Sequence, residues 1–242
     1  MEEKLSGIVL GGVSFGENDK ILNVFTLEQG VVSAKIKGVK KAGAKLKFAS
    51  EPFCFAEFIF SKRGTMRTVI GASLIDSFYP VREDIVKFFC AGAVVEFIKK
   101  FYQEDMVSAD AFFATVKALE KIAYGEKNPK SVLVNYLLGA LKESGFQLSI
   151  GGCFYCGCKE ILGRVFFNYR TGSFSCENCF DGTGREVSHQ TLTALCLAEK
   201  EQLDDSFEGT DKALRLLDYY LKNRTEESLN SLTELIKMQN GL

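Results

Sequence analysis

Short apolar runs broken by glycine-containing turns fill the first third of the chain, two of them alternating with a period of two, and after about residue 80 the period shifts to near 3.6. The first part predicts short strands at roughly 4–13, 20–27, 31–37, 53–60 and 67–75, separated by those turns. In the third, Val32, Ala34 and Ile36 share one face, with Ser33, Lys35 and Lys37 on the other. In the fifth, Thr68, Ile70, Ala72 and Leu74 lie opposite Arg67, Val69, Gly71 and Ser73. Strands this short and this closely spaced fit a small closed barrel, because closure removes exposed edges.

The helical part opens with Phe88, Phe89, Val94, Val95, Ile98 and Phe101 at three-to-four spacing. Ser108 is a predicted N-cap for a helix ending near Gly125. Asn128-Pro129 supplies a cap and a proline at the first helical position, and Gly145 ends that third helix. Ser188 caps a helix over about 189–200. Two more follow near 208–222 and 226–238, the second started by Thr225-Glu226-Glu227. The layout is α+β and multi-domain: a barrel at 1–78, a helical domain from 79–150 and 185–242, and an inserted cysteine module at 151–184.

Composition changes this picture little. The 242 residues are 46% hydrophobic and 25% charged, which is ordinary globular usage. A net charge of −1 gives no global sign of a polyanionic partner, but its distribution is uneven. Residues 1–80 carry eleven Lys/Arg against eight Asp/Glu, and residues 185–242 carry seven against eleven. The start, Met1-Glu2-Glu3-Lys4, does not read as a signal peptide, and the apolar stretch Phe88 to Ile98 is too short to span a bilayer. No membrane is expected. Eight cysteines then argue for reduced thiols or metal ligands in a cytoplasmic setting.

Those cysteines carry the strongest motif. Cys153-x2-Cys156, nineteen residues, then Cys176-x2-Cys179 is the spacing of a four-thiolate zinc site. Between the pairs, Arg164–Tyr169 reads as a strand, Arg170-Thr171-Gly172 as a turn and Phe174-Ser175 as the return. Four thiolates leave no open coordination position, so one Zn2+ per chain would be structural. Cys158 is close enough in sequence to compete with Cys156, and Cys54, Cys90 and Cys196 read as core.

A second signal is basic. Lys35, Lys37, Lys40, Lys41, Lys45 and Lys47 fall within residues 31–48 with no acid among them, and such a cluster can neutralise phosphates. The aromatics of Phe53–Phe60 could stack bases, but most of them read as barrel core. Enzyme motifs are weak. Gly12-Val13-Ser14-Phe15-Gly16 matches a nucleophile elbow without the strand–turn–helix that it needs, and His189 is the one histidine available as its base. No phosphate-binding P-loop follows the glycines.

The run Gly7-Ile8-Val9-Leu10, Gly16-Glu17-Asn18-Asp19-Lys20-Ile21-Leu22, Phe25-Thr26, Gly30, Lys37-Gly38-Val39-Lys40-Lys41 and Pro52-Phe53 resembles the start of RecO, the bacterial recombination mediator of DNA repair. With the cysteine pairs, the resemblance covers essentially the whole chain. It implies an N-terminal OB-fold, a helical domain and a zinc module. It also implies nucleoid-associated binding of single- and double-stranded DNA, strand annealing, and work with RecR and the tail of single-stranded-DNA-binding protein to load RecA. The zinc ligands transfer to Cys153, Cys156, Cys176 and Cys179, and the basic OB residues to Lys35, Lys37, Lys40 and Lys41, with Lys45 and Lys47 beside them. Lys99-Lys100 beside Phe97 and Phe101 is a candidate receiving site for the protein tail. The alternative is a zinc-stabilised interaction scaffold with little DNA affinity of its own.

Overall fold

The first five strands close on themselves. β1 (Glu2–Phe15), β2 (Asp19–Thr26), β3 (Gly30–Ile36), β4 (Phe55–Arg63) and β5 (Met66–Asp76) form a closed barrel in the order β1-β2-β3-β5-β4. The pairing of β3 with β5 is parallel and the others are antiparallel, giving the OB-like topology. The structure is a computed structural model and describes residues 2–63, 66–203 and 207–240. It divides at Tyr124 into two compact units.

β1 can serve two neighbours because it bends. It pairs with β4 near its start and with β2 toward its end, and its register slips between Val9 and Gly11. Gly11 sits at φ 133°, a conformation that a side chain would resist. Val9, Leu22, Val24, Val32, Ala34, Ile36, Phe58 and Phe60 fill the barrel. Phe58 and Phe60 stack at 5.7 Å, so the aromatics of this strand are largely core. β5 turns opposite to a simple reading of its apolar residues. Val69 and Arg67 are buried, whereas Ile70 and Leu74 are 47% and 49% exposed. The register of β4 against β5 shifts between Ile59 and Phe60, and a one-residue slip exchanges the faces of a strand.

α1 (Ile85–Phe101) and α2 (Ala109–Tyr124) complete the first unit. The Asp84 side chain accepts from the N–H groups of Val86 and Lys87, and Ser108 Oγ accepts from Ala111 at 3.1 Å. The helices join the barrel through rings: Phe25 lies 5.6 Å from both Tyr102 and Phe112.

The second unit holds α3 (Pro129–Glu143), α4 (His189–Glu199), α5 (Gly209–Arg224), α6 (Asn230–Asn240) and a small sheet. In that sheet β6 (Val165–Asn168) lies between β7 (Ser173–Cys176) and β8 (Arg185–Val187). The expected caps Asn128 and Ser188 accept from Lys130 and Thr191, and Gly145 follows the end of α3 at φ 82°. Thr225-Glu226-Glu227 does not start α6. Thr225 caps the C-terminus of α5, its hydroxyl donating to the Leu221 carbonyl, and Glu226 turns the chain at φ 60°. No helix among the described residues is long and apolar enough to cross a membrane.

Candidate nucleic-acid interface and metal centre

The basic cluster is built where β3 leaves the barrel. Gly38 donates its N–H to Asp19 Oδ1 at 2.8 Å, and Lys40 donates its N–H to the Asn18 carbonyl at 3.1 Å. These bonds hold the lysine loop against the β1–β2 turn. Successive tight turns then follow, with Lys41 donating to Gly38, Ala44 to Lys41 and Lys47 to Ala44. Val39 and Leu46 of this loop turn inward onto the barrel core, and Lys37, Lys40, Lys41, Lys45 and Lys47 are all exposed.

Loop and turn enclose an open groove of about 570 Å³ lined by Phe15, Glu17, Asp19, Lys35, Lys37 and Lys41 among others. Lys40, Lys45 and Lys47 lie on the same loop outside this lining. Lys35 is half-buried, 2.8 Å from Asp19 and 4.5 Å above the Phe15 ring. The hydrogen bond from Lys35, then the Gly38 N–H, holds the Asp19 carboxyl below its ordinary value. Phe15 is 47% exposed, an aromatic surface that the sequence had suggested only as part of a weak nucleophile motif. Ser14 of that motif sits in β1 opposite Lys20 of β2, in an antiparallel hairpin and not in a strand–turn–helix. His189 hydrogen-bonds the Gly163 carbonyl through a ring nitrogen. Of the residues considered for a tail-binding pocket, Phe97 is fully buried and stacks on Phe101 at 4.3 Å, with Lys99 and Lys100 exposed.

The second site forms where the β6–β7 hairpin meets a knuckle. Cys153 donates its N–H to the Cys158 carbonyl at 2.9 Å, and Gly157 donates to Cys153 at 2.9 Å, which closes the first turn. The second pair spans the end of β7 and a short 3-10 turn, Glu177–Cys179. Phe166 and Phe180 stack at 3.8 Å behind it. The ligating atoms of Cys153, Cys156, Cys176 and Cys179 all lie within 4.8 Å of one another. The Cys156 and Cys176 sulfurs are 3.9 Å apart, close to the edge of roughly 3.8 Å of a tetrahedron with metal–sulfur bonds of about 2.3 Å. Four close cysteines therefore could hold a metal ion, and the soft, closed donor set suits a structural one. Cys158 stands outside the group.

The thiols also interact as a cluster. Burial works to raise Cys153, but backbone N–H donors from Cys156, Cys176 and Tyr155 outweigh it and bring it down to about 6. Hydrogen bonding to Cys176, then to Cys156, pushes Cys179 up to about 12. Thiols at this spacing cannot all ionise without a cation between them. Elsewhere, Cys54 and Cys90 are buried as expected, and burial pushes Cys54 up to about 11. Cys196 departs from expectation: it is half-buried, its thiol reaching the Ile150 carbonyl at 3.5 Å.

Comparison with known proteins agrees with this architecture. Residues 1–78 match the family model "Recombination protein O N terminal", and residues 82–233 match "Recombination protein O C terminal". The chain is 24% identical to the DNA repair protein RecO of Acetivibrio thermocellus, over 95% of this chain and 94% of that protein. It is 24% identical to the namesake from Bacillus pumilus, over 98% and 97% of the two chains. With that of Caldicellulosiruptor bescii it shares 27% over 79% and 78%.

Proposed function

The chain belongs to the RecO family of DNA repair proteins, and we propose that it acts as a recombination mediator that binds DNA and anneals complementary strands. The observation that carries this reading is the lysine loop folded onto the β1–β2 turn of the OB-like barrel. In OB-folds that turn and the face of strands two and three receive oligonucleotides. Exposed lysines there would neutralise phosphates, and Phe15 offers a ring to a base. A surface that holds two strands lowers their repulsion and raises their local concentration, and base pairing supplies the free energy.

No covalent step is needed, and we read the chain as a non-enzyme. Cys153, Cys156, Cys176 and Cys179 would hold one structural zinc ion, which supplies folding energy and no open coordination position. RecR, the tail of single-stranded-DNA-binding protein and the loading of RecA belong to the reading through the family, in the cytoplasm.

One observation favours the scaffold alternative. Glu17 and Asp19 share the groove with Lys35, Lys37 and Lys41, so its net charge is small. The deciding experiment incubates labelled complementary strands with the purified chain, without ATP. Duplex should form faster than in protein-free controls, with strand lengths unchanged. No acceleration, or ATP turnover that disappears on changing Ser14 or His189, would defeat the proposal.

A further inference from the structure

Acidic residues outnumber basic ones after residue 185, yet one face of the second unit is cationic and aromatic. β6 and β8 pair so that Arg185 lies directly opposite Phe167. Opposite residues of an antiparallel pair leave the sheet on the same side. Arg185 therefore reaches toward α5, where its guanidinium carbon lies 4.8 Å from the centre of the Tyr219 ring. Tyr219 in turn sits 4.1 Å from Tyr169, whose ring stands edge-on to Phe167 at 5.1 Å. Arg215 precedes Tyr219 by one helical turn, on the same face of α5, and is exposed. Arg170, next to Tyr169 in the hairpin turn, is exposed as well.

No carboxylate of the described residues neutralises the arginines of this face, although Arg185 lies over the Tyr219 ring. Glu186 pairs with Arg164, Asp218 with Lys222 and Asp211 with Lys130. Among the described residues, Arg170, Arg185 and Arg215 have no carboxylate partner. The platform beneath them is fixed. The Gly172 carbonyl accepts from the Ser149 N–H at 2.8 Å, and a Cβ on Gly172 would lie 2.8 Å from the Tyr220 hydroxyl. Only a glycine lets the hairpin turn close this tightly on buried Tyr220.

The geometry points to a second single-stranded nucleic-acid site on this face, formed by Arg185, Arg215, Tyr169 and Tyr219 with Arg170 at its edge. Guanidinium forks match phosphate oxygens, and an Arg185 that turns from the Tyr219 ring to a phosphate uncovers that half-buried ring for an unpaired base. A duplex has its bases already stacked and would leave the rings unused. An acidic protein segment would meet the arginines but would use the rings only where it carried an aromatic or proline of its own. The inference rests on the annealing reading, which needs two strands on one protein, and assigns the second of them a place.

The test uses the full chain and short oligothymidylates carrying a photoactivatable iodinated base. Cross-links should map to Tyr169 or Tyr219 in addition to the barrel, and titration should end at two strands per chain. Arg185→Glu with Arg215→Glu should retain the first strand and lose the second. Tyr219→Ala should weaken the second strand at least about fivefold, the lower end for loss of one base–aromatic stack, while Tyr219→Phe binds as the parent does. Two strands still bound by the charge-reversed chain, or cross-links confined to the barrel, would overturn the inference while leaving annealing intact. Unchanged oligonucleotide binding with lost capture of an acidic peptide would overturn it too, reassigning the face to a protein. A parent chain that binds no strand would instead defeat the proposed function itself.

Discussion

Lys35 Nζ lies 2.8 Å from the Asp19 carboxylate and 4.5 Å above the Phe15 ring, so one ammonium group is shared between an acid and an aromatic face. The lysine that strand alternation points outward is thus already partly neutralised. Replacing Asp19 with Asn should free it, raising the groove from three lysines against two acids to three against one. Asn can still accept from Gly38, so the loop should stay folded. Single-strand affinity should rise and its salt dependence steepen by about 0.7 in log–log slope. The pH behaviour has a definite sign. Asp19 titrates below its ordinary value when folded, so the pair's contribution to stability is complete above the ordinary carboxylate range. It is lost only as pH falls through the lowered value. Fluorescence anisotropy should therefore give one salt slope between about pH 6 and about pH 8.

The five exposed lysines allow the absolute slope to be predicted. If Lys37, Lys40, Lys41, Lys45 and Lys47 each meet a phosphate, log affinity should fall with log salt at about −3.5 for single strands. Changing Lys37, Lys40 and Lys41 to Glu should weaken binding irrespective of base sequence. A folded triple variant with parental affinity would count for the scaffold reading.

Much of this was legible in the chain because the first unit obeys simple rules. Short apolar runs between glycine-containing turns, two of them alternating, located all five strands of the barrel to within a few residues, and the residues between the cysteine pairs read correctly as a hairpin. What escaped depended on partners far away in sequence. β8 is only Arg185-Glu186-Val187, with no apolar alternation of its own, and exists because β6 offers it an edge. The faces of β5 follow from a bulge at its own Ile70, which is left unpaired between Val69 opposite Phe60 and Gly71 opposite Ile59, and local alternation does not show it. The pairing of Lys35 with Asp19 needs the fold of the β1–β2 turn, and regional charge counts hid the arginines beside Tyr219.

Arg67 and Glu104 form an unequal pair. The Arg67 side chain is 8% exposed and that of Glu104 57%, and Arg67 Nη2 also donates to Gln29 at 2.8 Å. Its Nε is buried with no hydrogen bond. Removing the acid strands a buried cation, whereas removing the arginine leaves an acid that water can solvate. Glu104→Ala should therefore cost about 2–3 kcal/mol, and Arg67→Met distinctly less. Urea midpoints of the two variants decide it, and equal losses would contradict the argument.

The cysteine cluster makes a separate prediction about where stability resides. Cys153 and Cys176 are buried at the base of the two pairs, and Cys156 and Cys179 are more open. All four are needed to close a sulfur tetrahedron, so Cys153→Ser or Cys176→Ser should abolish binding of the expected zinc. Metal binding energy is folding energy in such a module, because the unfolded chain has no assembled site. The loss should therefore fall on the unit that contains the module. Protease cleavage should appear first after residue 125, while fragments containing the barrel persist. Chelation of the parent should reproduce that pattern, and added zinc should reverse it. Cys158→Ser is the control, since its sulfur lies outside the four-atom group, and it should keep one metal ion per chain. Elemental analysis of the parent and these variants reads the result directly. A parent free of metal, or a Cys158 variant that loses it, would show that the ligand set is not these four sulfurs.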